Sequence, residues 1–207
     1  VITFALVLFG FLVVDKVRQE HYRENLVSGP LALLSDLVSR QPLAQRDDWL
    51  ASMASTLGMP LGLFQLDDLS LNYFERARLR ENRPVIESID DGWRSLYQLP
   101  NSSWVLAARI NSLNEMQLRG ITEVLRSWLS GEEKEIQARR LARVQQQFHM
   151  PVGLYTSPPT DVDPIQATRL DAGEVVVRLE TGLSALYIHA RVGPDRWLRI
   201  GPLPSFE

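Results

Sequence analysis

The sequence predicts an α+β protein of two tandem modules, each with N-terminal helices packed on a small antiparallel sheet, the pair preceded by a truncated transmembrane helix. Three observations carry that expectation. Met59-Pro60-Leu61-Gly62-Leu63-Phe64 returns as Met150-Pro151-Val152-Gly153-Leu154-Tyr155, an interval of 91 from residue 59 to residue 150. In each half the apolar spacing passes from three-and-four to short alternating runs, the change from helix to strand. Ile2 to Val14 is an uncharged apolar run of 13 residues, different in kind from all that follows.

The repeat holds over a long window. At the same interval Leu34 and Ser39 meet Leu125 and Ser130, Leu50 meets Leu141, Arg78-Leu79 meets Arg169-Leu170, and Val85 meets Val176. Past Val85 the interval drifts by one or two residues, pairing Gly92 with Gly182, Leu96-Tyr97 with Leu186-Tyr187 and Trp104 with Trp197. A period of about 90 residues exceeds that of solenoid repeats, so each copy is expected to be a small domain. The boundaries read as 1–27 for the membrane and membrane-proximal helix, 28–111 for the first module and 112–207 for the second.

The initial run is shorter than the roughly 20 residues that span a bilayer. Because the chain opens on Val1, the run reads as the outer part of a transmembrane helix cut at its start; a signal-peptide remnant and a buried core helix are the alternatives. No small-residue cleavage site follows, and Asp15 to His21 continues in charged, helical fashion. Val14, Val17 and His21 form a thin stripe suited to pairing with a second copy, hence an expected homodimer and a signal-carrying helix.

Gly29-Pro30 then predicts a break. A second helix carries Leu31, Leu34, Leu37 and Val38 on one face. A third, capped by Asp47 or Asp48, places Trp49, Leu50, Met53 and Leu57 at helical spacing and ends at Gly58. Met59 to Leu66 reads as a strand, Asp67 to Asn82 as an undecided link, and Pro84 to Ile89, Trp93 to Leu99 and Trp104 to Ile110 as three short strands. In the second module, Ser112 to Glu115 and Ser130 to Glu133 have capping-box spacing. They open helices with Leu113, Met116, Ile121, Val124, Leu125 and Trp128, then Ile136, Leu141, Val144 and Phe148, inward. Strands follow at Met150 to Thr156, Glu174 to Glu180, Leu183 to Val192 and Trp197 to Ile200, with Gly201-Pro202 as a stop. The tryptophans mostly fall at core positions.

The charge of −3 leaves no basic excess for general nucleic-acid binding. The absence of cysteine removes thiolate zinc sites, disulfides and cysteine nucleophiles. The three histidines are scattered, which argues against a catalytic or metal cluster; His189 and His149 are candidate proton sensors, a solvated strand-face histidine being the plainer reading of His189. Asp67, Asp68, Asp90 and Asp91 are candidate cation ligands, although aspartate is also common in turns. No phosphate-binding loop, hydrolase elbow or zinc-protease motif occurs, no cofactor is expected, and the fragment is not read as an enzyme.

Asp48-Trp49-Leu50, Leu66-Asp67-Asp68-Leu69-Ser70-Leu71, Leu99 to Leu106, Arg169 to Val176 and the terminal Gly201-Pro202-Leu203-Pro204 resemble the extracytoplasmic sensor region of Rst-type two-component histidine kinases. The resemblance implies a bacterial inner-membrane protein whose residues after about 15 lie in the periplasm. It also implies a following ATP-dependent kinase portion, with a small ligand, a cation or a periplasmic protein as stimulus. That family usually carries one module where this chain has two, so no ligand site is carried over. A bitopic envelope protein whose modules dock another protein, and the input region of a chemoreceptor or cyclic-dinucleotide enzyme, are the rival expectations.

Overall fold

Most helices and strands fall where helical and alternating spacing put them, and the way the two copies pack on each other is set by their apolar faces. A computed structural model describes residues 24, 27–90, 92–110, 115–131, 133–147, 151–180 and 185–204. The apolar run from Ile2 to Val14, the stripe of Val14, Val17 and His21, and the expected homodimer contact through it lie outside them. Among the described residues no helix is long and apolar enough to cross a membrane.

In the first copy, helix α1 (residues 27–39) and α2 (Arg46–Leu57) precede β1 (Leu61–Gln65), α3 (Tyr73–Arg80), β2 (Val85–Ile89), β3 (Gly92–Gln98) and β4 (Trp104–Ile110). In the second, α4 (Glu115–Leu129) and α5 (Lys134–Gln147) precede β5 (Val152–Tyr155), α6 (Pro164–Asp171), β6 (Val176–Glu180), β7 (Ala185–Gly193) and β8 (Arg196–Pro204). The sheets have the antiparallel orders β1-β4-β3-β2 and β5-β8-β7-β6, which are the same topology twice.

The repeated glycine has a physical reason. A Cβ at Gly62 would stand 3.1 Å from the Phe64 ring and one at Gly153 would stand 2.9 Å from the Tyr155 ring, so each glycine makes room for the aromatic two residues on. The repeated proline leaves its carbonyl free to pair: Pro60 O accepts from Arg109 N and Pro151 O from Gly201 N.

Several expectations are corrected. Gly29 and Pro30 lie inside α1 and do not break it; Pro30 is buried in an apolar seam with Leu33, Leu34, Leu57, Ile121 and Val124, and that burial offsets the missing donor. Asp47 and Asp48 occupy the first turn of α2, whose N-cap is Gln45 without a side-chain cap, so they act on the helix dipole. Ser130 does not open α5: its hydroxyl donates to Arg126 O and Val192 O, closing α4. The undecided link holds α3, capped by a reciprocal Asn72 and Glu75 box, and α6 repeats it with Asp163 and Gln166. Gly201-Pro202 does not stop β8, which continues to Pro204 across a cis peptide. Met116 is exposed while Leu118 is buried. The tryptophans mostly stand at the core as expected, Trp49, Trp104 and Trp128 lying half-buried against it.

Helices were also expected on one face of each sheet, and both faces are covered. Along β4, Leu106 and Ala108 face the four long helices while Val105 and Ala107 face away, into a second cluster with Leu69, Leu71, Leu79, Val85 and Leu96 under α3. The helical side belongs to both copies. Leu31, Leu34 and Val38 of α1, Leu50 and Leu57 of α2, Leu118, Leu125 and Leu129 of α4, Val144 of α5, and Ile188, Leu198 and Ile200 of the second sheet form one continuous core. Asp36 of α1 fastens it at the rim, pairing with Arg143 of α5 at 3.0 Å and with Arg40 at 2.6 Å. The two topological copies thus share a single interior; the expected boundary at residues 111 and 112 lies outside the described residues.

Candidate functional site

Strand register, and not local similarity, sets the correspondence between the copies. Val85 opposes Leu96 and Val176 opposes His189, so Leu96 corresponds to His189. Phe64 opposes Val105 and Tyr155 opposes Trp197, so Trp197 corresponds to Val105; by the same register Arg199, opposite Gly153, corresponds to Ala107, opposite Gly62. The pairings of Leu96-Tyr97 with Leu186-Tyr187 and of Trp104 with Trp197 are therefore corrected. The cause is the hairpin between β6 and β7, two residues longer than its counterpart: β2 and β3 close at Ile89 and Gly92, β6 and β7 at Glu180 and Ala185.

One face has changed its chemistry between copies. In the first, Leu96, Val105 and Ala107 are sealed by Leu66, Leu69 and Leu71 of the link. In the second, the same sheet positions hold His189, Trp197 and Arg199. The matching link positions, at the interval that relates α3 to α6, are Ser157, Thr160 and Val162. Smaller link residues leave a cavity of about 250 Å³, walled by Tyr155, Trp197, Arg199, His189, Ser157 and Asp161, among others.

His189 is the buried polar group of this cavity. It is 1% exposed, and its Nε2 has no hydrogen-bond partner. The nearest carboxylate oxygen, Asp161 Oδ2, stands at 3.7 Å, too far for a hydrogen bond. Asp161 is itself held by Arg178 at 2.8 Å. Burial pushes the imidazole below its ordinary value; the Asp161 carboxylate works against that, and Arg199 and Arg178 push it down further. The plainer sequence reading, a solvated strand-face histidine, is thereby corrected. Arg199 lies over the rings of Tyr155 and Tyr187, 5.2 and 5.4 Å from their centroids, with no carboxylate partner among the described residues.

The other candidates do not converge. His149 and Asp91 lie outside the described residues. Asp67 is exposed and paired with Arg76 at 3.3 Å; Asp68 and Asp90 sit at a 3-10 turn and a strand end. Among the described residues no cluster of three or more histidines or carboxylates could hold a metal ion. A larger open groove, about 560 Å³, runs between the copies beside Leu37, Trp49, Met53 and Trp128, but its cations are engaged: Arg126 with Glu123 and with Gly173 O, Arg140 with Trp128 O.

Glu24, just ahead of α1 in the chain, meets Arg78 of α3 at 2.9 Å and Arg83 at 3.2 Å. Burial raises its carboxyl, the two guanidiniums lower it more, and the net direction is down. Its stabilising contribution is therefore present above the ordinary value of 4.5 and is lost as pH falls through the lowered one. Glu24→Gln is expected to remove about 1 kcal/mol and to flatten that acid limb, read by thermal unfolding against pH; an unchanged acid limb would show that the pairs do not stabilise the fold.

Comparison with family models, with curated proteins and with solved structures gives no match.

Proposed function

We propose that this chain is the periplasmic input region of a membrane-bound two-component sensor histidine kinase. What supports the reading is that one core joins a cavity-bearing sheet to α1. Beneath His189, Trp197 and Arg199, the inward residues Ile188, Leu198 and Ile200 pack into the same interior as α4, α2 and α1. Close-packed interiors repack between discrete arrangements and do not stretch, so a stimulus that favours one position of the second sheet biases the helices. In this reading the helix expected through Val14, Val17 and His21 carries that bias to the bilayer of the inner membrane. The kinase chemistry belongs to the parent protein and uses none of these residues.

Inner-membrane vesicles containing the parent protein, supplied with ATP, are expected to label it with an acid-labile phosphoryl group on histidine. Vesicles that give no such label, or a parent gene that stops soon after Glu207, would replace this reading with that of a bitopic docking protein. A different output domain would replace it with a chemoreceptor or cyclic-dinucleotide enzyme.

A further inference from the structure

The cavity over the second sheet is the place where the fold departs furthest from its own internal copy. The first copy shows that this topology closes there with leucine and alanine; the second holds a buried imidazole Nε2 and a guanidinium that find, among the described residues, no hydrogen-bond partner and no carboxylate respectively. A buried nitrogen left unpaired, as His189 Nε2 is, costs about 1–3 kcal/mol, and an apolar alternative is already present in the same molecule. Such a cost is offset when a ligand supplies the missing partner.

The residues specify what that ligand carries. Arg199 provides positive charge, while Asp161 is neutralised by Arg178, so the cavity favours a single negative charge. A guanidinium fork matches the two oxygens of a carboxylate. Trp197 and Tyr155 offer ring surface to an apolar body, which inorganic anions lack. The volume of about 250 Å³ falls just below the range of roughly 300–1,000 Å³ typical of small-molecule pockets, so the body is short.

We propose that this cavity binds a small organic monocarboxylate, its oxygens on Arg199 and on His189 Nε2, its body against Trp197 and Tyr155. In combination with the input-region reading, on which only this last role rests, the acid is the stimulus. The binding itself does not depend on that reading.

The purified chain in detergent is titrated calorimetrically with butyrate, benzoate, inorganic phosphate and butylammonium. Butyrate or benzoate is expected to bind at least about tenfold more tightly than phosphate, and butylammonium not at all. Arg199→Ala is expected to weaken the acids on the order of tenfold to hundredfold, the range for a charge-assisted hydrogen bond. That variant installs the residue the first sheet carries at the corresponding position, Ala107, and near-UV dichroism checks its fold. In the unaltered chain the His189 Nε2 resonance is expected to move on saturation with butyrate. A stationary resonance, equal binding by Arg199→Ala, or phosphate or butylammonium binding as tight as the acids would each overturn the proposal. Acid binding that leaves phosphohistidine formation in the vesicles unchanged removes the signalling reading and leaves the site standing.

Discussion

Gly120→Ala is expected to destabilise the protein by about 1–3 kcal/mol, the cost of overpacking a close-packed interior. The sign is the informative part. In an ordinary helix interior the same exchange stabilises by roughly 0.5–1 kcal/mol, because glycine loses more freedom on folding. Gly120 lies within α4 where that helix crosses α2; an added Cβ would stand 2.7 Å from Thr56 O and 3.0 Å from Leu57 Cα. Both are backbone atoms and neither can rotate aside, so α2 has to move. Since α2 and α4 belong to different copies and one interior runs through both, the loss is expected in a single transition. Urea unfolding gives its size, and hydrogen exchange at the amides of Leu96 and Ile188 shows whether both sheets open together. A more stable variant, or exchange that quickens in one sheet alone, would mean that the copies are held apart by independent cores.

His189→Leu is expected to make the protein more stable at neutral pH by about 1–3 kcal/mol, because a buried nitrogen without a partner is replaced by the side chain found at the corresponding place in the first sheet. The pH dependence should change as well. The folded protein holds the imidazole below its ordinary value of 6.5, so under mildly acidic conditions the unfolded chain takes up a proton that the folded chain refuses. Stability therefore falls as pH drops through 6.5 toward the lowered value and is fully retained above 6.5. The groups that face the ring and set this are Asp161 from the link, Arg199 from β8 and Arg178 from β6. Thermal unfolding between about pH 8 and about pH 5 is expected to show a descending limb in the unaltered chain that is shallower in His189→Leu. Parallel curves would place the titration elsewhere, and a loss of stability at neutral pH would mean that the imidazole has packing value that outweighs its missing hydrogen bond. Stability gained this way is expected to cost carboxylate binding, the usual exchange at a functional site.

The duplication was readable because Met59 to Phe64 and Met150 to Tyr155 obey the same local constraint, a glycine that makes room for the aromatic ring two residues on. The buried stripes of α1 and α2 were readable because Leu31, Leu34 and Val38, and Leu50 and Leu57, keep helical spacing. α6 was not, since its eight residues carry little apolar periodicity; its signals were the Asp163 and Gln166 box, proline at its first position, and the interval from α3. The continuity of α1 through Gly29-Pro30 was hidden because the compensating contacts come from Leu57, Ile121 and Val124.

His189 marks the boundary most clearly. Its presence on a strand, sharing a face with Tyr187 and Arg191, follows from alternation along the chain. That it stands where the first copy has leucine, opposite Arg199 and within 3.7 Å of Asp161, depends on how β7 registers against β6 and β8 and on where the link passes over them. Sequence by itself determined the module, its duplication and the helices and strands that keep a clear apolar period, because those depend on neighbours a few residues away. Only the tertiary structure decided that the copies share one interior and that the second keeps a polar cavity, because burial and cross-strand partnership are properties of residues brought together from far apart in the chain.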